Sequence, residues 1–157
     1  MGLISLCELG AMAQPNPVFP KVKAIYDALM SGKTSKLSPI TQDAYMTHVH
    51  SYSILTSQTN GGQTHSISLI VSIDDSLKML YINVQKIGKN ISREQEDDEE
   101  GFAFKPNGML VEAGTSGTDK VYDEIDFSKK DFDQTLYKKY LPDITFSIDE
   151  IYNRISK

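Results

Sequence analysis

The sequence predicts an α+β domain with an N-terminal helix, an antiparallel meander sheet of about five strands, and two C-terminal helices packed on the sheet. Apolar residues recur with a helical period near the start, with a period of two through the middle, and with a helical period again at the end. Leucine, isoleucine, valine and phenylalanine make up 40 of the 157 residues, enough to build a packed core.

The N-terminal part divides into an arm and the first helix. Residues 1–15 form an apolar arm, either packed on the body or disordered, and residues 16–157 form a single domain. The helix starts at residues 16–17 or at Pro20, because proline is tolerated in a first helical turn, and Gly32 ends it. Its apolar stripe consists of Val22, Ile25, Tyr26, Leu29 and Met30.

The middle of the chain alternates between apolar and polar residues, as expected for strands with one face on a core. Asn60, Gly61 and Gly62 form a strong hairpin signal between the first two strands. The predicted strands cover residues 47–57, 63–73, 77–87, 102–104 with 109–113, and 121–127.

Two helical patterns close the chain. Ser128 with Asp131, and Ser147 with Glu150, have the spacing of a capping box, in which a hydroxyl and a carboxylate satisfy the first amides of a helix. Pro142 lies between these patterns and lacks the amide that a helix interior needs. The sequence therefore predicts two helices, the first of which stops at Pro142.

The net charge of −5 is concentrated in one segment. Residues 93–100 hold six acids and one arginine, whereas the rest of the chain has 15 residues of each sign. Like charges at this density pack poorly, so the sequence predicts a solvent-exposed acidic loop over residues 88–101. We expect such a loop to attract a basic protein partner and to speed its association.

Several function classes lack support in the sequence. No basic patch with interleaved aromatics indicates nucleic-acid binding, and no apolar run approaches the ~18 residues of a membrane helix. The single cysteine, Cys7, excludes an intrachain disulfide and fits a cytoplasmic location. The glycine-containing stretch at residues 114–118 lacks the lysine of a phosphate-binding loop, so we expect no cofactor.

The histidines raise one metal hypothesis. His48 and His50 share a strand face, and the hairpin register brings Asp74 near them, which resembles a triad of two histidines and one carboxylate. The competing interpretation, which we favour, is that these histidines only form hydrogen bonds on a partly exposed sheet face. A register slip of one residue would separate the three side chains.

The sequence predicts a small non-catalytic protein-binding module of the inhibitor, immunity, chaperone or antagonist type. It shows no catalytic constellation, and it has a segregated acidic segment and more tyrosines than a core needs. The alternative is a cone-like α+β protein whose pocket binds or converts a small molecule. The predicted partner-binding residues are Glu94, Glu96, Asp97, Asp98, Glu99, Glu100 and Tyr137.

Overall fold

The computed structural model describes residues 15–41, 47–88, 98–116 and 123–157. These residues form an α+β fold, in which seven antiparallel strands lie in a sheet in sequence order. The strands are β1 (Ser38–Ile40), β2 (Val49–Asn60), β3 (Gln63–Asp74), β4 (Met79–Ile87), β5 (Glu99–Phe104), β6 (Leu110–Ser116) and β7 (Glu124–Asp126). The helices are α1 (Pro20–Met30) and α2 (Gln134–Ile155).

The sheet is larger than the sequence predicted, with seven strands instead of about five. The additional strand near the N-terminus, β1, contains Pro39 and pairs with β2 through only three residues. The alternating pattern did not predict this strand because it is short and because proline within a run argues against a strand. The predicted hairpin turn between β2 and β3 is present, with positive φ angles of 60° at Gly61 and 81° at Gly62.

Side chains alternate strictly across the central strands. The face of the sheet that the helices cover, here called the inner face, carries the buried aliphatic residues of β3 and β4. Cross-strand partners share a face, so one inner row runs from Ile54 through Leu69, Val84 and Glu100 to Thr115. The opposite, outer face carries Tyr81, Asn83, Glu99 and Gly101, among others.

Helix α1 begins at Pro20, the later of the two starts considered, and ends before Gly32. Four of its five predicted stripe residues are buried, whereas Met30 remains 49% exposed. The helix packs mainly against α2. The two helices thus form one layer over the sheet.

The prediction of two C-terminal helices is wrong, because a single 22-residue helix continues through Pro142. An interior proline removes one backbone hydrogen bond and costs about 3 kcal/mol. Here Pro142 is on the exposed side of α2, where water can solvate the freed carbonyl. The opposite side is held to the sheet by fully buried side chains, which compensate for the defect. They include Tyr140, Ile144 and Ile151.

Both predicted capping boxes are also absent. Asp133 caps α2 by accepting a hydrogen bond from the Leu136 amide at 3.0 Å. Ser128 instead donates to the Asp126 carboxylate in the turn after β7, at 2.6 Å. Ser147 is inside the helix, where its hydroxyl donates to the Ile144 carbonyl at 3.0 Å. Both serines therefore make local bonds that compete with capping.

The predicted acidic loop is too long at its C-terminal end. Residues 99–101 belong to β5, and alternation turns Glu100 toward the inner face beside Phe102. An acidic run predicts a solvated loop only if every acid in it is ionised, and a carboxyl group that keeps its proton on burial does not meet that condition. Residues 89–97 of the predicted loop lie outside the described residues.

In the described parts of the chain, no helix is both long and apolar enough to cross a membrane.

Replacing Ile151 with alanine should lower the free energy of unfolding by about 2–5 kcal/mol, because a fully buried aliphatic side chain is truncated between α2 and the sheet. Urea unfolding followed by circular dichroism measures the change. The matched control is Asn153→Ala, two residues along on the exposed side of α2, which should shift stability by about 0.5 kcal/mol or less. Equal stabilities of the two variants would show that α2 contributes little to the core.

Candidate functional site

A trough of 340 Å³ crosses the outer face of the sheet over β4–β7. Its floor is formed by Gly101 of β5 and Gly114 of β6, which are directly opposite each other in the sheet. Glycines in the middle of strands leave the backbone open to a ligand or a neighbouring chain. The neighbouring residues on this face carry side chains that rise above the backbone. The two glycines do not, so they form the bottom of the trough.

The walls of the trough are the rows of side chains on either side of the glycine pair. Glu99 and Ser116 pair across the strands to form one wall. Tyr81 and Glu112, joined through Ala103, form the other wall. Because each row is two residues from the floor row along its strand, the walls stand roughly 13 Å apart.

The two ends of the trough are polar. Asn83 of β4 is the cross-strand neighbour of Gly101, and Glu124 of β7 is the cross-strand neighbour of Gly114. Asp123, just before β7, also lines this end and forms an ion pair with Lys139 at 3.5 Å. The lining therefore has four carboxylic acids and an amide, and no lysine or arginine among the residues that the structure describes.

The two floor glycines are required to different degrees. A Cβ on Gly114 would approach the Asp123 carbonyl oxygen to 2.9 Å, and that oxygen belongs to the backbone. A Cβ on Gly101 would meet only the side-chain oxygen of Asn83, at 3.3 Å. Local packing therefore explains Gly114, whereas the sheet itself tolerates a side chain at position 101.

Carboxyl groups crowd together on the β6–β7 side of the trough. Partial burial, together with a hydrogen bond and charge repulsion from the Glu124 carboxyl, raises the pKa of Glu112 above its usual range. Burial also raises the pKa of Tyr81, with a further contribution from the negative charges of Asp74 and Glu112. A cation placed in the trough would relieve this repulsion.

A second group of polar side chains lies on the inner face between the sheet and α2. Glu100 faces Asp143 of α2, and Lys86 of β4 forms an ion pair with Asp143 at 3.2 Å. Burial raises the pKa of Glu100 to about 8, with Asp143 adding to the shift. Beside this group, the hydroxyl groups of Tyr140 and Thr115 are hydrogen-bonded at 2.6 Å.

The predicted partner-binding acids are divided by the fold. Glu94, Glu96 and Asp97 lie outside the described residues. Asp98 is half-buried just before β5, Glu99 forms part of a trough wall, and Glu100 faces α2. Only Glu99 of the described acids in this segment therefore reaches the trough.

The predicted interface tyrosine, Tyr137, is half-buried at the start of α2. Its ring packs edge-on against Phe127 at 5.4 Å and against Phe132 at 6.0 Å between ring centroids. Burial raises its pKa. These contacts give Tyr137 a packing role in the described structure.

Two residues of the hypothetical metal triad, Asp74 and His50, have other partners. The Asp74 carboxylate accepts hydrogen bonds from the Ser76 amide, the Ser76 hydroxyl and the Leu77 amide in the β3–β4 turn. His50 faces Asp75 instead, at 3.4 Å. The described residues contain no cluster of three or more histidine, cysteine, aspartate or glutamate side chains suited to a metal ion.

Sequence reasoning missed most of the trough. The glycines at 101 and 114 look like turn residues until the β5–β6 register pairs them. That register includes an irregularity between Ala103 and Phe104, which a simple alternating pattern does not predict. Of the side chains in the trough walls, the sequence predicted one, Glu99, as a partner-binding acid.

The trough floor can be filled without unfolding the sheet. Gly101→Ala should leave the free energy of unfolding within about 1 kcal/mol of the parent, because only the Asn83 side chain must move. Gly114→Ala should lower it by about 1–3 kcal/mol, because the new methyl group meets backbone. Chemical denaturation of both variants measures the difference. Equal losses would contradict the geometry described for the two strands.

Comparison of the chain with protein-family models, with curated proteins and with solved structures gave no match.

Proposed function

We propose that the protein is a binding module for a basic protein partner, and that the trough on the outer face of its sheet receives a lysine or arginine side chain of that partner. The observation that carries this proposal is the lining of the trough, where Glu99, Glu112 and Glu124 surround an open strip of backbone. Hydrogen bonds between a cation and carboxylates are roughly twice as strong as neutral ones.

The shape of the trough supports a side chain with a flat or compact charged end. The glycine floor lets such a group approach the sheet closely, and the aromatic side chain of Tyr81 lines one wall. A cation over an aromatic ring gains about 0.5–1 kcal/mol at an exposed site. The Asn83 amide oxygen at the end of the trough adds a further acceptor.

The charge of the lining supports a cationic partner over an anionic one. Lys139 at the rim already forms an ion pair with Asp123. Among the described residues, no lysine or arginine lines the trough beside its three glutamates. Burial, with a further contribution from the nearby Glu124 carboxyl, raises the pKa of Glu112, so its ionised form costs free energy in the unbound protein. A bound cation would offset that cost, which favours association.

Binding is a better proposal than catalysis for this trough. Its described lining contains neither histidine nor cysteine, the residues most often used as a general base and as a reactive nucleophile. Inhibitors, immunity proteins, chaperones and antagonists are all modules of the proposed kind, and we propose a role of this type in the cytoplasm. The single cysteine in the sequence is compatible with that location.

The proposal is tested by titrating isotope-labelled protein with acetyl-Gly-Arg-Gly-amide and following backbone amide signals by NMR. The largest shift changes should occur at Gly101 and Gly114, whose amides lie at the floor of the trough. The changes should weaken as salt is raised, because surface ion pairs are screened.

Two controls separate a specific site from general attraction to an acidic protein. The same peptide with neutral citrulline in place of arginine should not bind. Gly101→Val, with its fold checked by circular dichroism, should abolish the changes at Gly114, because its side chain occupies the floor of the trough. Shift changes spread evenly over exposed acids such as Asp75 and Asp149, unaffected by Gly101→Val, would contradict the proposal.

A further inference from the structure

We propose that Glu100 and Asp143 form a pH-sensitive latch, in which one proton held between the two carboxyl groups keeps α2 docked on the sheet and its loss weakens that docking. This latch is on the inner face, opposite the trough, and its action does not depend on the function proposed for the trough. It joins the two layers of the fold, since Glu100 belongs to β5 and Asp143 to α2.

Burial makes the pair sensitive to its charge. Asp143 is only 7% exposed, and the Glu100 carboxyl has one oxygen, Oε2, that is fully buried without a hydrogen-bond partner. Two ionised carboxylates in such a place would repel each other strongly, because a partly buried site screens charge less than water does. One shared proton removes this repulsion.

The surrounding charges cannot neutralise both carboxylates. Lys86 on β4 pairs with Asp143 at 3.2 Å, and Lys139 on α2 pairs with Asp123 at 3.5 Å. Each of these lysines therefore already forms an ion pair with one carboxylate. Glu100 is a third carboxyl group for only two lysines. The titratable groups that face the latch from the elements packed around it are Lys86, Asp98, Asp123, Lys139 and Tyr140.

The pH range follows from proton linkage. Burial and Asp143 raise the pKa of Glu100 from 4.5 to about 8 in the folded protein. Below pH 4.5 the folded and unfolded chains both hold the proton, and the stabilisation is fully present. As pH rises toward 8, the unfolded chain releases the proton while the folded chain retains it, so stability is lost progressively across that range.

The latch is tested with Glu100→Gln, which keeps the size of the side chain and cannot ionise. Urea unfolding between pH 4.5 and 9 gives the folding constants of the variant and the parent. The folding constant of the variant divided by that of the parent should rise by up to about tenfold per pH unit between pH 4.5 and 8, and then level off. Glu99→Gln, one residue along on the outer face, is the matched control and should show no comparable rise.

A second variant and a second measurement address the possibility that Glu100→Gln does not fold. Asp143→Asn should also flatten the pH dependence, because Lys86 would then face Glu100 alone. In the unmodified protein, hydrogen exchange of the Ile144 and Ile148 amides, corrected for base catalysis, should show protection that falls between pH 5 and 8. A ratio that does not change with pH, or protection that stays constant, would overturn the latch.

Discussion

The register of β5 is the constraint on which the rest of the structure depends. Three consecutive residues of this strand alternate between its faces, so that Glu99 and Gly101 face outward while Glu100 faces α2. The pairing of Glu100 with Val84 and Thr115 fixes this arrangement. A slip of one residue would turn Glu99 inward and Phe102 outward, and it would place a side chain on the trough floor in place of Gly101.

The inner face explains why this register is stable. Phe102 is fully packed in the core, and its ring contacts Tyr140 of α2 at 6.2 Å between centroids. The hydroxyl of Tyr140 then bonds Thr115 of β6, which ties the helix to the strand beside β5. The helix, the register and the outer trough therefore depend on the same few contacts. This dependence also explains why α2 continues past Pro142, since stopping there would leave the sheet uncovered.

Sequence reasoning succeeded where local patterns determine the structure. The stripe of α1, the turn at Gly61 and Gly62, and the alternation of β3 and β4 all follow from the residues themselves. It failed where tertiary packing overrides a local signal. Pro142 indicates a helix end and Ser147 a helix start, yet α2 contains both because its buried side outweighs their preferences.

The candidate site was harder to predict than the fold, for a physical reason. The acidic run was treated as a single charged loop, whereas strand alternation divides its last residues between a solvent-facing trough and a buried pair. Composition cannot predict that Glu99 faces outward and Glu100 inward, because both are the same residue type. The glycine pair at the floor is also non-local, since Gly101 and Gly114 meet only through the β5–β6 register.

The most direct test of this account is a carbon-13 NMR titration of the Glu100 side-chain carboxyl in the folded protein. The inward position beside Asp143 predicts a titration midpoint of about 8 for Glu100. A midpoint near the ordinary glutamate value of about 4.3 would contradict a buried Glu100 carboxyl that shares a proton with Asp143, and with it the latch.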